Sequence, residues 1–236
     1  MWAALATPEV KALLLRVVVA VALLVAAGIA VRRRLAATHG GVIPDQGFTV
    51  RNLFEMQVEA LTSLARQTMG PEWRRWFPIV GTMFLFILVS NLMGLIPGVG
   101  GATSDVNTAL AWAIISFCLF QYIGIRKHGW SYITKYMGPS FYTWHVGGRH
   151  IHVRALAPLF LILEIPLDFV RIGTLTIRLL ANMFADHTVV AVFLGLVPLG
   201  IPALFLGLGL IVSVLQAFVF ALLTMVYINL ALQEAH

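Results

Sequence analysis

Residues 175–184, LTIRLLANMF, place a single arginine, Arg178, in the middle of an apolar run. This run belongs to a longer stretch, residues 156–197, that is apolar almost without interruption. A guanidinium at the centre of a bilayer costs roughly 2.5–3.5 kcal/mol on insertion scales, and arginine keeps its proton at any accessible pH. Such a residue by default faces a partner charge or a water-filled cavity, so Arg178 is the first candidate for a functional residue.

The composition predicts that the whole chain is an integral membrane protein. Of its 236 residues, 60% are hydrophobic and 11% are charged, and the mean hydropathy is +0.91. The net charge of +6 does not indicate a nucleic-acid partner, because the 16 Lys and Arg residues fall mainly into two loops between apolar segments. Cys118 is the only cysteine, so the chain cannot form an internal disulfide. We expect an all-α polytopic fold without a bound cofactor or metal.

The apolar segments predict about five membrane helices, since a span needs about 20 apolar residues. An additional amphipathic helix is predicted at the membrane interface. In chain order, the predicted ranges are 12–31, 50–69 for the amphipathic helix, 77–97, 106–126, 156–197 and 203–232.

The last two predicted helices are too long to stand upright in a bilayer. At about 1.5 Å per residue, residues 156–197 would measure roughly 60 Å, about twice the thickness of the hydrocarbon core. This segment must therefore either break, near Pro166 or Gly173, or lie strongly tilted. Together with residues 203–232 it predicts a tilted helical hairpin.

Basic residues predict the orientation of the chain. Residues 98–105 include no Lys or Arg, whereas residues 32–75 carry seven and residues 126–154 carry five. By the positive-inside rule the two basic loops are cytoplasmic, which places the amino terminus outside and the carboxyl terminus in the cytoplasm. The aromatic residues of loop 127–154 are suited to lying along the interface.

Polar residues share one face on each of the two long helices. At about 100° per residue, one arc of about 80° holds six residues of the first helix, and a similar arc holds four of the second. The first set is Glu164, Asp168, Arg171, Arg178, Asn182 and Asp186, and the second is Ser213, Gln216, Thr224 and Tyr227.

Two interpretations are open for the acidic and basic residues at the start of this stripe. Glu164, Asp168 and Arg171 either line a hydrophilic path or neutralise one another at the end of the helix. Arg178 has no acidic residue within one turn on its own helix. Its counter-ion must therefore come from elsewhere, and a mobile carboxylate on a partner subunit would serve.

Four segments, in order along the chain, resemble subunit a of F-type ATP synthases. They are residues 175–183 around Arg178, residues 77–82 followed by 90–98, residues 104–108, and residues 215–220 with 224–227. The resemblance spans nearly the whole chain. It implies a near-horizontal helical hairpin packed against a rotating ring of c subunits, with peripheral-stalk b subunits and the remainder of the ATP synthase complex as further partners.

The resemblance also implies a mechanism in which this subunit conducts protons and catalyses nothing. Each c subunit would carry a carboxylate that Arg178 favours in its ionised form, and two aqueous half-channels, kept apart by Arg178, would exchange protons with it. ATP chemistry would reside on partners, because the sequence has no phosphate-binding P-loop. Gln216 would position Arg178, with helix–helix contact as the alternative role for a membrane glutamine.

The orientation assigns the ends of the polar stripe to the two half-channels. Glu164 and Asp168 would lie toward the cytoplasm, and Asp186 and His187 toward the outside. The outer end departs from the family pattern, which often has an acid where this chain has His187 and a histidine where it has Gly209. Either Asp186 or His187 is then the outer proton carrier, and for His187 the role of a satisfied polar residue is equally open.

Other classes of function fit the sequence less well. A proton-coupled secondary transporter would show internal repeats, which this chain lacks. An intramembrane hydrolase would need a base near Ser213 or Thr224, and neither has a histidine nearby on its helix. The histidines of the second basic loop do not predict a metal site, since no carboxylate or cysteine accompanies them: His128, His145, His150 and His152. The absence of a transit peptide favours a bacterial inner membrane, although an organelle-encoded chain would lack one as well.

Overall fold

Six α-helices and a short β-hairpin make up the described part of the chain. A computed structural model describes residues 8–37, 50–96, 98–129, 132, 142–146, 149–153, 157–196 and 200–233. Its elements are α1 (Pro8–Ala37), α2 (Val50–Met69), α3 (Trp73–Gly94), α4 (Val106–His128), β1 (Tyr142–Val146), β2 (Arg149–Val153), α5 (Ala157–Leu196) and α6 (Ile201–Gln233). Short 3₁₀ turns, Gly70–Glu72 and Ala102–Ser104, precede α3 and α4.

Five described segments are long and apolar enough to cross a membrane. They are Pro8–Arg33, Phe54–Gly94, Val106–His128, Ile162–Gly195 and Pro202–Gln233. The predicted all-α polytopic membrane architecture is therefore confirmed. The helix that precedes α3 is the amphipathic one, and it buries one side chain per turn against the rest of the fold, namely Leu61, Ala65 and Met69.

The first long helix does not break. α5 runs as one α-helix of 40 residues with Pro166 inside it, so the expected alternative of a break near Pro166 or Gly173 is wrong. At about 1.5 Å per residue, α5 measures roughly 60 Å and the 33 residues of α6 roughly 50 Å. Both lengths exceed the thickness of the hydrocarbon core, as a tilted hairpin would require. The tilt relative to the bilayer itself stays a prediction.

The core lies where α2, α3, α4, α5 and α6 meet. Its largest fully buried side chains come from all five helices and include Leu61, Phe84, Phe120, Leu179 and Phe220. α1 is attached at its middle, where Ala20 packs with Phe86, Met93 and Ala102. Most of the remaining apolar side chains of α1 are exposed, which suits contact with lipid or with another membrane subunit.

A β-hairpin occupies part of the loop between α4 and α5, and the sequence analysis did not predict it. β1 and β2 pair antiparallel, with Tyr142 opposite Val153 and Val146 opposite Arg149. The letters YTWHV and RHIHV carry β-branched and aromatic residues at close spacing, which is typical of strands. His145 lies opposite His150 in this register.

Candidate functional site

The polar stripe of α5 lies on the side that faces the other helices. Leu175, Leu179 and Met183 are buried at the same helical spacing, whereas Ile177 and Phe184 are 65% and 74% exposed. Within the stripe Asp168 is buried, and the other members are half-buried: Glu164, Arg171, Arg178, Asn182 and Asp186. The residues predicted to share a face therefore do share the inner face of the helix.

Asp168 and Arg171 form an ion pair inside the protein. Nη1 of Arg171 donates to Oδ1 of Asp168 at 3.1 Å, and Nε2 of Gln121 on α4 donates to Oδ2 at the same distance. The guanidinium also lies 5.2 Å from the ring centroid of Tyr227 and 5.9 Å from that of Phe120. The pair thus ties α4, α5 and α6 together at one level, which supports mutual neutralisation for these two residues.

Gln121 and Tyr132 belong to this cluster, and the sequence analysis assigned neither to the site. The hydroxyl of Tyr132 donates to Oε1 of Gln121 at 2.7 Å, and the tyrosine is 3% exposed. Its ring occupies the space where a Cβ on Gly124 would lie, so a larger residue at this position would displace the ring. An amide in the last third of the third predicted span is the available signal for Gln121, whereas Tyr132 is one of the aromatic residues of loop 127–154 that suit an interface.

Arg178 has a different environment from Arg171. It is half-buried, and among the residues that the structure describes it has neither a hydrogen-bond partner nor an ion-pair partner. It lies at the edge of the inner face, because Leu175 and Leu179 on one side of it are buried whereas Thr174 and Ala181 on the other side are exposed, and no carboxylate of the described part neutralises it. This agrees with the expectation that its counter-ion comes from elsewhere.

The polar residues of α6 are on its buried face. Ser213, Gln216 and Thr224 are buried and Tyr227 is half-buried. The hydroxyl groups of Thr224 and Ser116 lie 3.0 Å apart, which links α6 to α4. Nε2 of Gln216 is buried without a hydrogen-bond partner among the described residues, and no hydrogen bond joins Gln216 to Arg178 there.

Asn91 of α3 connects the 3₁₀ turn Ala102–Ser104 to α6. Oγ1 of Thr103 donates to Oδ1 of Asn91 at 2.7 Å, and Nδ2 of Asn91 donates to the carbonyl oxygen of Ser213 at 3.4 Å. The hydroxyl groups of Ser90 and Ser213 are buried and, within the described ranges, have no partner. Buried polar groups normally bond to protein or to ordered water, so this cluster is suited to hydration.

Asp186 and His187 border a cavity of about 300 Å³. Its other lining residues lie at the end of α3, near the end of α5 and near the start of α6: Gly94, Leu95, Val190, Ala191, Leu194 and Leu206. The structure therefore brings both outer candidates to one cavity, two turns along α5 from Arg178. His128, one of the histidines considered for metal binding, instead lies 3.2 Å from the carbonyl oxygen of Ala231.

The fold and the site define a class of protein: a polytopic membrane protein whose long helical hairpin carries an arginine without a partner in the described ranges. The family model for the ATP synthase A chain matches residues 13–229. The chain is 36% identical over 210 residues to ATP synthase subunit a of Bdellovibrio bacteriovorus, covering 89% of this chain and 86% of that one.

Two further relatives give similar values. The chain is 39% identical over 206 residues to ATP synthase subunit a of Sorangium cellulosum, covering 87% of this chain and 76% of the relative. It is 38% identical over 214 residues to ATP synthase subunit a 1 of Syntrophotalea carbinolica, covering 91% and 82%. The chain belongs to the ATP synthase subunit a family, the proton-channel stator components of F-type ATP synthases, so the predicted family is confirmed.

Proposed function

We propose that Arg178 is the fixed charge with which this stator subunit meets the carboxylates of a rotating c ring and keeps two aqueous half-channels apart. The observation that carries the proposal is the contrast between two arginines of α5. Arg171 has its carboxylate in Asp168 at 3.1 Å, whereas Arg178 has none among the described residues. A charge within an apolar segment needs a partner, and a carboxylate delivered by another subunit supplies one.

The chemistry of the exchange follows from charge and solvation. A ring carboxylate that faces lipid is protonated, because an ionised acid there is costly. Beside Arg178 the ionised form is favoured, so the carboxylate releases its proton into one half-channel and takes another from the second. A permanently charged arginine repels protons from a continuous water path, so net flow requires rotation. The membrane potential supplies about 2.3 kcal/mol per charge per 100 mV.

The half-channels are assigned by the orientation of the basic loops. The amino terminus lies outside and the carboxyl terminus in the cytoplasm of a bacterial cell with this chain in its inner membrane. The half-channel lined by Glu164 then opens toward the cytoplasm, and the half-channel lined by Asp186 and His187 opens toward the outside. Asn182 and Gln216 flank the level of Arg178, and the buried amide nitrogen of Gln216 is free among the described residues to donate to water or to a ring carboxylate.

Asp168, Arg171 and Tyr227 have a supporting role in this proposal. The ion pair lies within α5, about two turns from Arg178, and its contacts with Gln121 and Phe120 of α4 and with Tyr227 join three helices. These contacts to α4 and α6 fix the rotation of α5 about its axis, and with it the direction in which Arg178 points. Ser213 contributes through its backbone, which Asn91 holds, and through a buried hydroxyl that water can reach.

The subunit acts as part of the ATP synthase complex. We assign the exposed side of the α5–α6 hairpin to the c ring, since large apolar residues such as Phe184 and Leu204 cover it, at 74% and 76% exposure. The exposed side of α1 is available to lipid and to the membrane helices of the peripheral-stalk b subunits. Catalysis of ATP synthesis resides on other subunits.

ATP-driven proton uptake by inverted membrane vesicles tests this role. Complexes with Arg178→Ala should lose uptake, because the ring carboxylate no longer meets a fixed positive charge. Arg33→Ala removes an exposed arginine from the end of α1 and is the matched control, which should pump like the unmodified complex. Both must be compared at equal amounts of assembled complex. Undiminished uptake in Arg178→Ala would overturn the assignment.

A further inference from the structure

Resting on this proposed function, we infer that Asp186, lodged against Gly209 of α6, is the carboxylate that carries protons through the outer half-channel of this chain, and that the neighbouring His187 is not. Asp186 and His187 are neighbours near the end of α5, and both are candidates for the outer carrier. The geometry around Gly209 selects Asp186 of the two.

Asp186 and Gly209 face each other across the hairpin. A Cβ built on Gly209 would lie 3.5 Å from both Cγ and Oδ1 of Asp186, and 2.7 Å from Cδ2 of Leu95. A side chain at position 209 would therefore occupy the space between the carboxylate and α3. The glycine leaves this space open to a carboxylate that comes from α5 instead.

The backbone gives no other reason for glycine at this position. Gly209 lies inside α6 and does not have a positive φ, so alanine could adopt the same backbone conformation. Glycine in a helix interior costs about 0.5–1 kcal/mol relative to alanine. Glycine at position 209 leaves space beside Asp186, and the Cβ of alanine would fill part of that space.

The carboxylate has an opening on one side and a polar route on the other. It borders the cavity of about 300 Å³ that reaches the end of α3. In the opposite direction Ser213 and Gln216 follow Gly209 on the buried face of α6 at spacings of about one turn, and Gln216 lies about 10 Å along the helix from Gly209. On α5 the eight residues from Asp186 to Arg178 span about 12 Å.

His187 is placed less favourably. It follows Asp186 by one residue, which is about 100° around the helix, and its side chain is exposed whereas Asp186 is half-buried. It lines the same cavity but is not among the side-chain atoms nearest to Gly209. In the proposed step a carboxylate oxygen of Asp186 accepts a proton from water in the cavity and returns one to water on the Gln216 side, so that Asp186 is unchanged after each transfer.

Variants at three positions test the assignment in inverted vesicles with ATP-driven proton uptake as the readout. Asp186→Asn should lower uptake per assembled complex by roughly tenfold or more, in the range expected for loss of an acid–base group, and His187→Gln should lower it much less. Glu9→Gln removes an exposed carboxylate near the start of α1 and serves as the control for charge.

The sharper test moves the carboxylate across the hairpin. In the exchange variant with Asp186→Gly and Gly209→Asp, the acid stands on α6 beside the space that Asp186 leaves, and its Cβ displaces the flexible end of Leu95. Uptake should recover severalfold relative to Asp186→Gly alone. Because a damaged fold could mimic a loss, the amount of assembled complex is quantified for every variant.

The outcomes separate this inference from the proposed function. Normal uptake with Asp186→Asn, alongside lost uptake with Arg178→Ala, overturns the role of Asp186 and leaves the role of Arg178 intact. A larger loss with His187→Gln than with Asp186→Asn, with no recovery in the exchange variant, assigns the outer carrier to His187. Retained uptake with Arg178→Ala contradicts the proposed function itself.

Discussion

Two arginines on the same helix, seven residues apart, occupy opposite electrostatic environments. Arg171 pairs with Asp168, which also accepts a hydrogen bond from Gln121. Its guanidinium lies over the rings of Phe120 and Tyr227, and its side chain is 21% exposed. Arg178 has no such partner in the described part of the chain. A buried pair is costly to break but contributes little net stability, so Arg171 is an internal contact and Arg178 is available to another subunit.

A double-mutant cycle tests the role of the Asp168–Arg171 pair. Arg171→Leu leaves the buried carboxylate of Asp168 without its cation, and should lower stability by about 2–3 kcal/mol, below the 3–5 kcal/mol of a fully buried pair. The variant with leucine at both positions should be more stable than Arg171→Leu alone. Thermal denaturation of the detergent-solubilised complex measures both. If the stability lost in the double variant equals the sum of the losses in Arg171→Leu and Asp168→Leu, the two side chains do not interact directly.

The sequence predicts the inner stripe of α5 because helical periodicity is a local property. Glu164, Asp168, Arg178 and Asp186 fall on one face at any orientation of the helix. It does not predict the bond from Tyr132 to Gln121, or that from Thr103 to Asn91, because those pairs depend on how separate segments pack. For the same reason the sequence does not predict that Asp186 and Gly209 face each other, because they are 23 positions apart and belong to different helices.

At the scale of elements, helix lengths follow from the apolar segments, whereas the choice between a bend and a continuous helix does not. Pro166 removes one backbone hydrogen bond, and α5 continues through it because packing of its inner face compensates for the loss. Gly200, immediately before α6, has a φ of +94°, a conformation that favours glycine, so the sequence indicates where this helix begins. The β-hairpin after α4 was missed because its aromatic residues also suit a membrane interface.

At the scale of the whole molecule, α2–α6 share one hydrophobic core that holds the site, and α1 packs beside it through a smaller cluster around Ala20. The basic loops predict which end of this core faces the cytoplasm. Val99, between α3 and α4, should then be outside, and Gln233, at the end of α6, should be inside.

Cysteine labelling measures this orientation. In a Cys118→Ser background, a membrane-impermeant maleimide should modify Val99→Cys in intact spheroplasts and Gln233→Cys only in inverted vesicles. Both positions are exposed in the structure, so access depends on the side of the membrane. The reverse pattern would invert the assignment of the two half-channels while leaving the site itself unchanged.

The central claim is that Arg178 separates the half-channels, and passive proton flux tests it most directly. Vesicles that contain the assembled complex, without nucleotide, are given a membrane potential and their proton permeability is measured. With Arg178→Ala we expect permeability above that of the unmodified complex, because no fixed positive charge blocks a continuous water path. Arg33→Ala should match the unmodified complex. If vesicles with Arg178→Ala are as impermeable as the unmodified ones and still pump with ATP, Arg178 is not the barrier between the half-channels.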